Sequence, residues 1–139
     1  MLKSPMQGHL TRTVHKLYTD PFTGVFLCVQ LIYNHITHMI RLQMAMGRNI
    51  PDAGTVDDEM FDEFMQSDIM PLLDYGTIID GIGFWKGEQE QTKILYVEIP
   101  ESEFKAMYKV FVMIAAAYKT AFRQDAVMIS QIQTEMALV

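Results

Sequence analysis

Residues 77–99 read TIIDGIGFW, then KGEQEQ, then TKILYVEI. The first and third blocks, Thr77–Trp85 and Thr92–Ile99, are rich in β-branched and aromatic residues, the composition of half-buried strands. The polar block between them, Lys86 to Gln91, reads as the turn joining two neighbouring strands. A hairpin alone cannot bury a core, so the elements on either side decide the architecture.

Upstream, Thr55 with Asp58 three residues on is a capping-box-like start, and Asp57, Asp58 and Glu59 suit the positive end of a helix dipole. Met60, Phe61, Phe64, Met65 and Ile69 follow at helical spacing, and Pro71 and Gly76 mark the stop. Before that helix, Ile36, His38, Ile40, Leu42, Met44 and Met46 alternate with Thr37, Arg41 and Gln43, as a strand's two faces do. The stretch Gly47 to Gly54 breaks the alternation as a loop. Downstream, Pro100-Glu101-Ser102-Glu103 opens a second helix, with Phe104, Met107, Tyr108, Phe111, Ala115, Tyr118 and Phe122 as its apolar stripe. Ala126 to Val139 is long, alternating and free of Gly and Pro, and is expected to be the last strand.

Strand–helix–strand–strand–helix–strand is the ferredoxin-like pattern, an α+β fold with an antiparallel sheet and two helices on one face. The last strand carries Val127, Ile129 and Ala137 on one side and Met128, Ile132, Met136 and Leu138 on the other. Apolar residues on both sides predict that the open sheet face packs on the N-terminal segment or on another subunit, hence a homo-oligomer. Residues 1–24 mix Ser, Pro, Gly, His and Lys without periodicity and read as a tail or arm. Residues 25–139 are expected to form a single domain, with an additional strand or segment at Val25–Tyr33.

The 139 residues suit one domain, and a net charge of −6 with 11 scattered basic residues argues against a nucleic-acid surface. The single cysteine, Cys28, excludes an internal disulfide and a multi-cysteine zinc site. The longest apolar run, Val25 to Ile32 broken by Gln30, falls short of the ~20 residues that cross a bilayer. It also lies behind a polar lead too long for an ordinary signal peptide. A cytoplasmic protein with no membrane partner is the expectation. The 12 methionines read as flexible core filler, the alternative being an adaptable binding surface.

His35-x-x-His38 has helical metal-ligand spacing, but a strand would place the two on opposite faces, and no carboxylate cluster accompanies them. No metal site and no cofactor are expected. Gly81-x-Gly83 is half of a dinucleotide fingerprint without the following helix, and conformational relief near a strand end explains it better. The densest candidate is Asp80-Gly-Ile-Gly-Phe84-Trp85 followed by Glu88, Glu90 and Gln91. Aromatic faces beside carboxylates are what a cationic or heteroaromatic ligand needs. The competing reading is a Trp85 core anchor beside a solvated acidic turn.

Two resemblances bear on these residues. The closing run Phe122-Arg-Gln124-Asp125-Ala-Val127, with Gln133-Thr134 and the small apolar finish, resembles the helix-to-last-strand region of bacteriophage S-adenosylmethionine (SAM) lyases, historically called SAM hydrolases. Glu90-Gln91-Thr92-Lys93 is similar to that family's acidic lead into an apolar strand. The resemblance covers about 75–139. It implies a trimeric enzyme, in the host cytoplasm if phage-encoded, with sites between subunits that split SAM into methylthioadenosine and homoserine lactone. It also implies that Glu90, with Glu88 as the fallback, holds the substrate's cationic end. Where that family has a functional tyrosine on the preceding strand, this chain has Phe84-Trp85, an aromatic wall without a hydroxyl. Tyr75 could substitute only if the fold brings it round. Gly47-Arg-Asn-Ile-Pro51, the aspartate-rich helix, Asp80 to Trp85, Gln91-Thr-Lys93 and Tyr118-Lys-x-x-Phe122-x-Gln-Asp-Ala-Val127 also look like a bacterial ferredoxin-like family of unknown function. That match runs from about 40 to 130. The rival to an enzyme is a small phage or bacterial interaction protein that binds a host protein through its acidic surface. A ligand site predicts a partly accessible Trp85 and Glu90, and a binding module predicts a buried Trp85 with a fully exposed Glu90.

Overall fold

A computed structural model describes residues 37–85 and 87–137, together with the backbone of Tyr18–Thr19 and Phe26–Leu27. The chain divides into two units, Met1–Ile36 with Ala137–Val139, and Thr37–Met136. In the first, Tyr18–Thr19 pairs antiparallel with Phe26–Leu27. The strand expected at Val25–Tyr33 otherwise lies outside the described residues, as does most of the tail expected at 1–24.

The second unit is a ferredoxin-like α+β fold. Its strands are β1 (Thr37–Gly47), β2 (Thr77–Trp85), β3 (Glu88–Pro100) and β4 (Met128–Met136). Helix α1 (Asp58–Phe64) precedes β2, and α2 (Phe104–Phe122) follows β3. The sheet order is β2-β3-β1-β4 with every neighbour antiparallel. Each helix therefore links two strands that sit one apart, with a third strand between them.

Alternation in β1 puts Ile40, Leu42, Met44 and Met46 under the helices, all buried. Leu95, Val97 and Ile99 of β3 lie beside them, and Phe61, Phe64, Phe111, Ile114, Tyr118 and Phe122 close the core from the helix side. Each such side chain, fully buried, stabilises by about 1.5–3 kcal/mol. The methionines divide: Met39, Met44 and Met46 are buried, whereas Met70, Met113 and Met128 are exposed. Tyr108, expected in the α2 stripe, lies at its exposed margin against Phe104, while Ile114 takes a central place.

Four boundaries differ from the sequence expectation, the first being β4, which starts at Met128 rather than Ala126 and ends at Met136, with 138–139 outside the described residues. The N-cap of α1 is Asp57, whose carboxylate accepts the Met60 N–H at 2.8 Å, while Thr55 lies in a short ribbon pairing Asn49–Ile50 with Gly54–Thr55. The same helix continues past Phe64 as a π-helical turn, Met65–Ile69, closed by Met70 N–H to the Met65 carbonyl. The turn of the central hairpin is only residues 86 and 87, because Glu88, Gln89 and Glu90 already pair with β2. Gly87 supplies the φ of +84° that so tight a connection demands. The hairpin thereby runs beyond the cover of the helices, leaving Ile82 66% and Phe84 82% exposed.

Candidate functional site

Where β1 ends, the three residues Gly47-Arg48-Asn49 cross the end of the sheet and are gripped from several sides. The Tyr118 hydroxyl of α2 donates to the Gly47 carbonyl at 2.8 Å. Arg48 N–H donates to the Gln91 carbonyl at 2.9 Å, and the Arg48 carbonyl accepts from Val56 N–H at 2.7 Å. The Gln124 side-chain amide donates to the Asn49 carbonyl at 2.7 Å. Asn49 N–H in turn donates to the Glu90 carboxylate at 2.9 Å. That carboxylate lies over the Gly47 Cα, so a Cβ built there would stand 2.4–2.6 Å from its three terminal atoms. Glu90 is thus a half-buried acid with a fixed mount.

On the helix side of the same strand ends, charges are paired. Arg48 donates through Nε to the Val56 carbonyl at 2.5 Å, and its Nη2 lies 2.9 Å from Asp58. Lys93 Nζ lies 2.7 Å from Asp80, 3.7 Å from Asp58, and 5.2 Å from the centre of the Phe61 ring. The two cationic side chains are only 13% and 12% exposed, and the carboxylates facing them stand in solvent. Burial, opposed by Arg48 and assisted by Glu90, pushes the Tyr118 hydroxyl up to about 12. It therefore stays protonated as a donor at neutral pH.

Strand alternation distributes the residues expected to form the site. Glu90 pairs with Gly83 and Glu88 with Trp85, whose side chain lies outside the described residues. Asp80, Phe84 and Gln91 fall on the other face of the hairpin, with Asp80 committed to Lys93 and Phe84 and Gln91 exposed. Tyr75 donates to the Glu98 carbonyl at 3.3 Å, eight residues along β3 from Glu90 and so roughly 26 Å away. Burial and the nearby Glu103 raise its pKa. Near Tyr75 on the open face, Glu98 accepts from Arg41 Nε at 2.6 Å and from the Thr134 hydroxyl at 2.9 Å, and Arg41 lies over the Tyr96 ring.

Sequence reading did not single out Arg48, Tyr118 or Gln124 as parts of one site. Their motifs, Gly47-Arg-Asn-Ile-Pro and Tyr118 to Val127, were visible, but nothing local says that positions 71 and 75 apart touch.

The sequence profile of DUF3574, a protein family of unknown function, matches residues 41–138. The chain belongs to that family, and the match spans the motifs at 47–51, 80–85, 91–93 and 118–127 that carried the second resemblance. No curated protein matches. A solved structure described as a phage SAM lyase in complex with S-methyl-5'-thioadenosine superposes with a TM-score of 0.50 at 10% identity, over 72% of this chain and 90% of that one. That likeness is one of fold. No helix among the described residues is long and apolar enough to cross a membrane.

Proposed function

We propose that this chain is a SAM lyase, with Glu90 holding the cationic end of the substrate. The observation that carries the reading is the Glu90 carboxylate itself, fixed by Asn49 N–H at a sheet end in a fold that a phage SAM lyase also has. The reaction asks for little acid–base help. An oxygen of the substrate's own carboxylate bonds to its γ-carbon, and the carbon–sulfur bond breaks with its electron pair passing to sulfur. The sulfonium becomes the neutral thioether of methylthioadenosine, and homoserine lactone leaves with its ammonium unchanged. Positive sulfur and negative carboxylate cancel as the ring closes, so a desolvated pocket that folds the substrate accelerates the step.

Such a pocket needs walls that one copy does not bring together. Tyr75 and Glu90 stand at opposite ends of β3, so a shared ligand would require the hydroxyl of a second copy. The exposed Ile82 and Phe84 on the projecting hairpin suit a subunit contact, in keeping with a trimer. The test is to incubate the purified protein with SAM and follow methylthioadenosine by chromatography, beside Glu90→Gln. Release by the wild type and its loss in the variant are expected. Release that survives the substitution would remove Glu90 from the site.

A further inference from the structure

We propose that Gly47 and Gln124 are positioning residues, whose task is to fix the Glu90 carboxylate rather than to hold the fold together, and that the Tyr118 hydroxyl serves the same mount besides its part in the core. Glycine inside a strand costs about 0.5–1 kcal/mol relative to alanine, so it needs a reason. Backbone conformation gives none, because among the described glycines only Gly54 and Gly87 have positive φ. Among the described residues, the three atoms nearest to a Cβ at position 47 all belong to the Glu90 carboxylate, at 2.4, 2.5 and 2.6 Å. That group is the far end of a flexible side chain and could swing into water at small cost. Alanine would therefore be tolerated by the fold while displacing the acid. Glycine at 47 serves the place of the carboxylate.

The rest of the mount has the same character. Asn49 N–H can hold Glu90 only if the short strap is rigid, and its two outer carbonyls are pinned by side chains of α2 and the residues just after it: Gly47 by Tyr118, Asn49 by Gln124. Preorganisation of this kind is what a charge that must meet a substrate requires, and a partly solvated carboxylate contributes little to stability by itself. The placement of Glu90 stands on geometry alone; that it meets SAM rests on the function proposed above.

The experiment has an arm for each. By NMR, the Asn49 amide of the wild type should shift as Glu90 is protonated, and in Gly47→Ala this response should vanish while the fold persists. Gln124→Leu should weaken it. In turnover of SAM, Gly47→Ala should lose about a hundredfold, the scale of a 1 Å misplacement. Gly47→Ala combined with Glu90→Gln should be no worse than Glu90→Gln alone. An Asn49 response that survives Gly47→Ala, or additive losses in the double variant, would overturn the proposal. Should Gly47→Ala fail to fold, Gly47→Ala/Glu90→Ala removes the clash and should restore folding; a persistent defect would show that the glycine serves the fold. A wild type inert toward SAM would end the lyase reading, and the NMR arm would still decide the positioning.

Discussion

Replacing Tyr118 with phenylalanine removes one oxygen from the place where α2 meets the end of β1. The side chain is fully buried, and its hydroxyl donates to the Gly47 carbonyl at 2.8 Å. Its ring contacts, 5.2 Å from Phe64 and 4.8 Å from Phe122 between centres, are kept by phenylalanine. The loss is therefore a single neutral hydrogen bond plus an acceptor left short of a partner, together about 1–2 kcal/mol. For a domain of this size that lowers the melting temperature by roughly 3–8 °C. Alkaline pH supplies a second signature. The hydroxyl is raised to about 12 in the folded chain, above the ordinary value of 10.0, so between these pH values the native state keeps a proton that the unfolded state has released. Stability from this group is complete below pH 10 and is lost as pH rises towards 12. Denaturant unfolding at neutral pH and across the alkaline window measures both effects. Wild type should exceed Tyr118→Phe at neutral pH, and the gap should narrow as pH rises. Equal stability at neutral pH, or parallel declines through the alkaline window, would refute the assignment.

Four further substitutions probe the fold. Arg123 closes α2 in the left-handed region at φ 53°, so Arg123→Gly should stabilise by about 0.5–1 kcal/mol in thermal unfolding. Asp57→Ala should cost about 1 kcal/mol by loss of the helix cap, whereas Thr55→Ala should be nearly neutral; the reverse order would return the cap to Thr55. Phe111→Ala, at a fully buried site in the core, should cost about 3–5 kcal/mol in denaturant unfolding.

The architecture was legible because its signals are local and periodic. Alternation from Thr37 to Met46 gave the two faces of β1 correctly, Ile36 lying outside the described residues, and the order of strands and helices gave the sheet. The turn was misread because Glu88, Gln89 and Glu90 are polar, and polarity usually ends a strand. Here β3 runs on past the core, where backbone pairing with β2 continues although none of the described side chains there is buried. The helix start was misread because Thr55 and Asp57 are both good caps, and only the approach of a carboxylate to the Met60 N–H decides between them. The site was legible as motifs and illegible as a place. Asp80 to Gln91 is one run in the sequence but two faces in the hairpin, and the mount of Glu90 joins residues up to 75 positions apart.

The most direct measurement on the lyase reading follows the fate of SAM in water enriched in heavy oxygen. If the substrate's own carboxylate closes the ring, the purified protein releases methylthioadenosine together with homoserine lactone that carries no solvent oxygen. Labelled homoserine as the first product would mean attack by water, and absence of methylthioadenosine would mean that this protein does not cleave SAM.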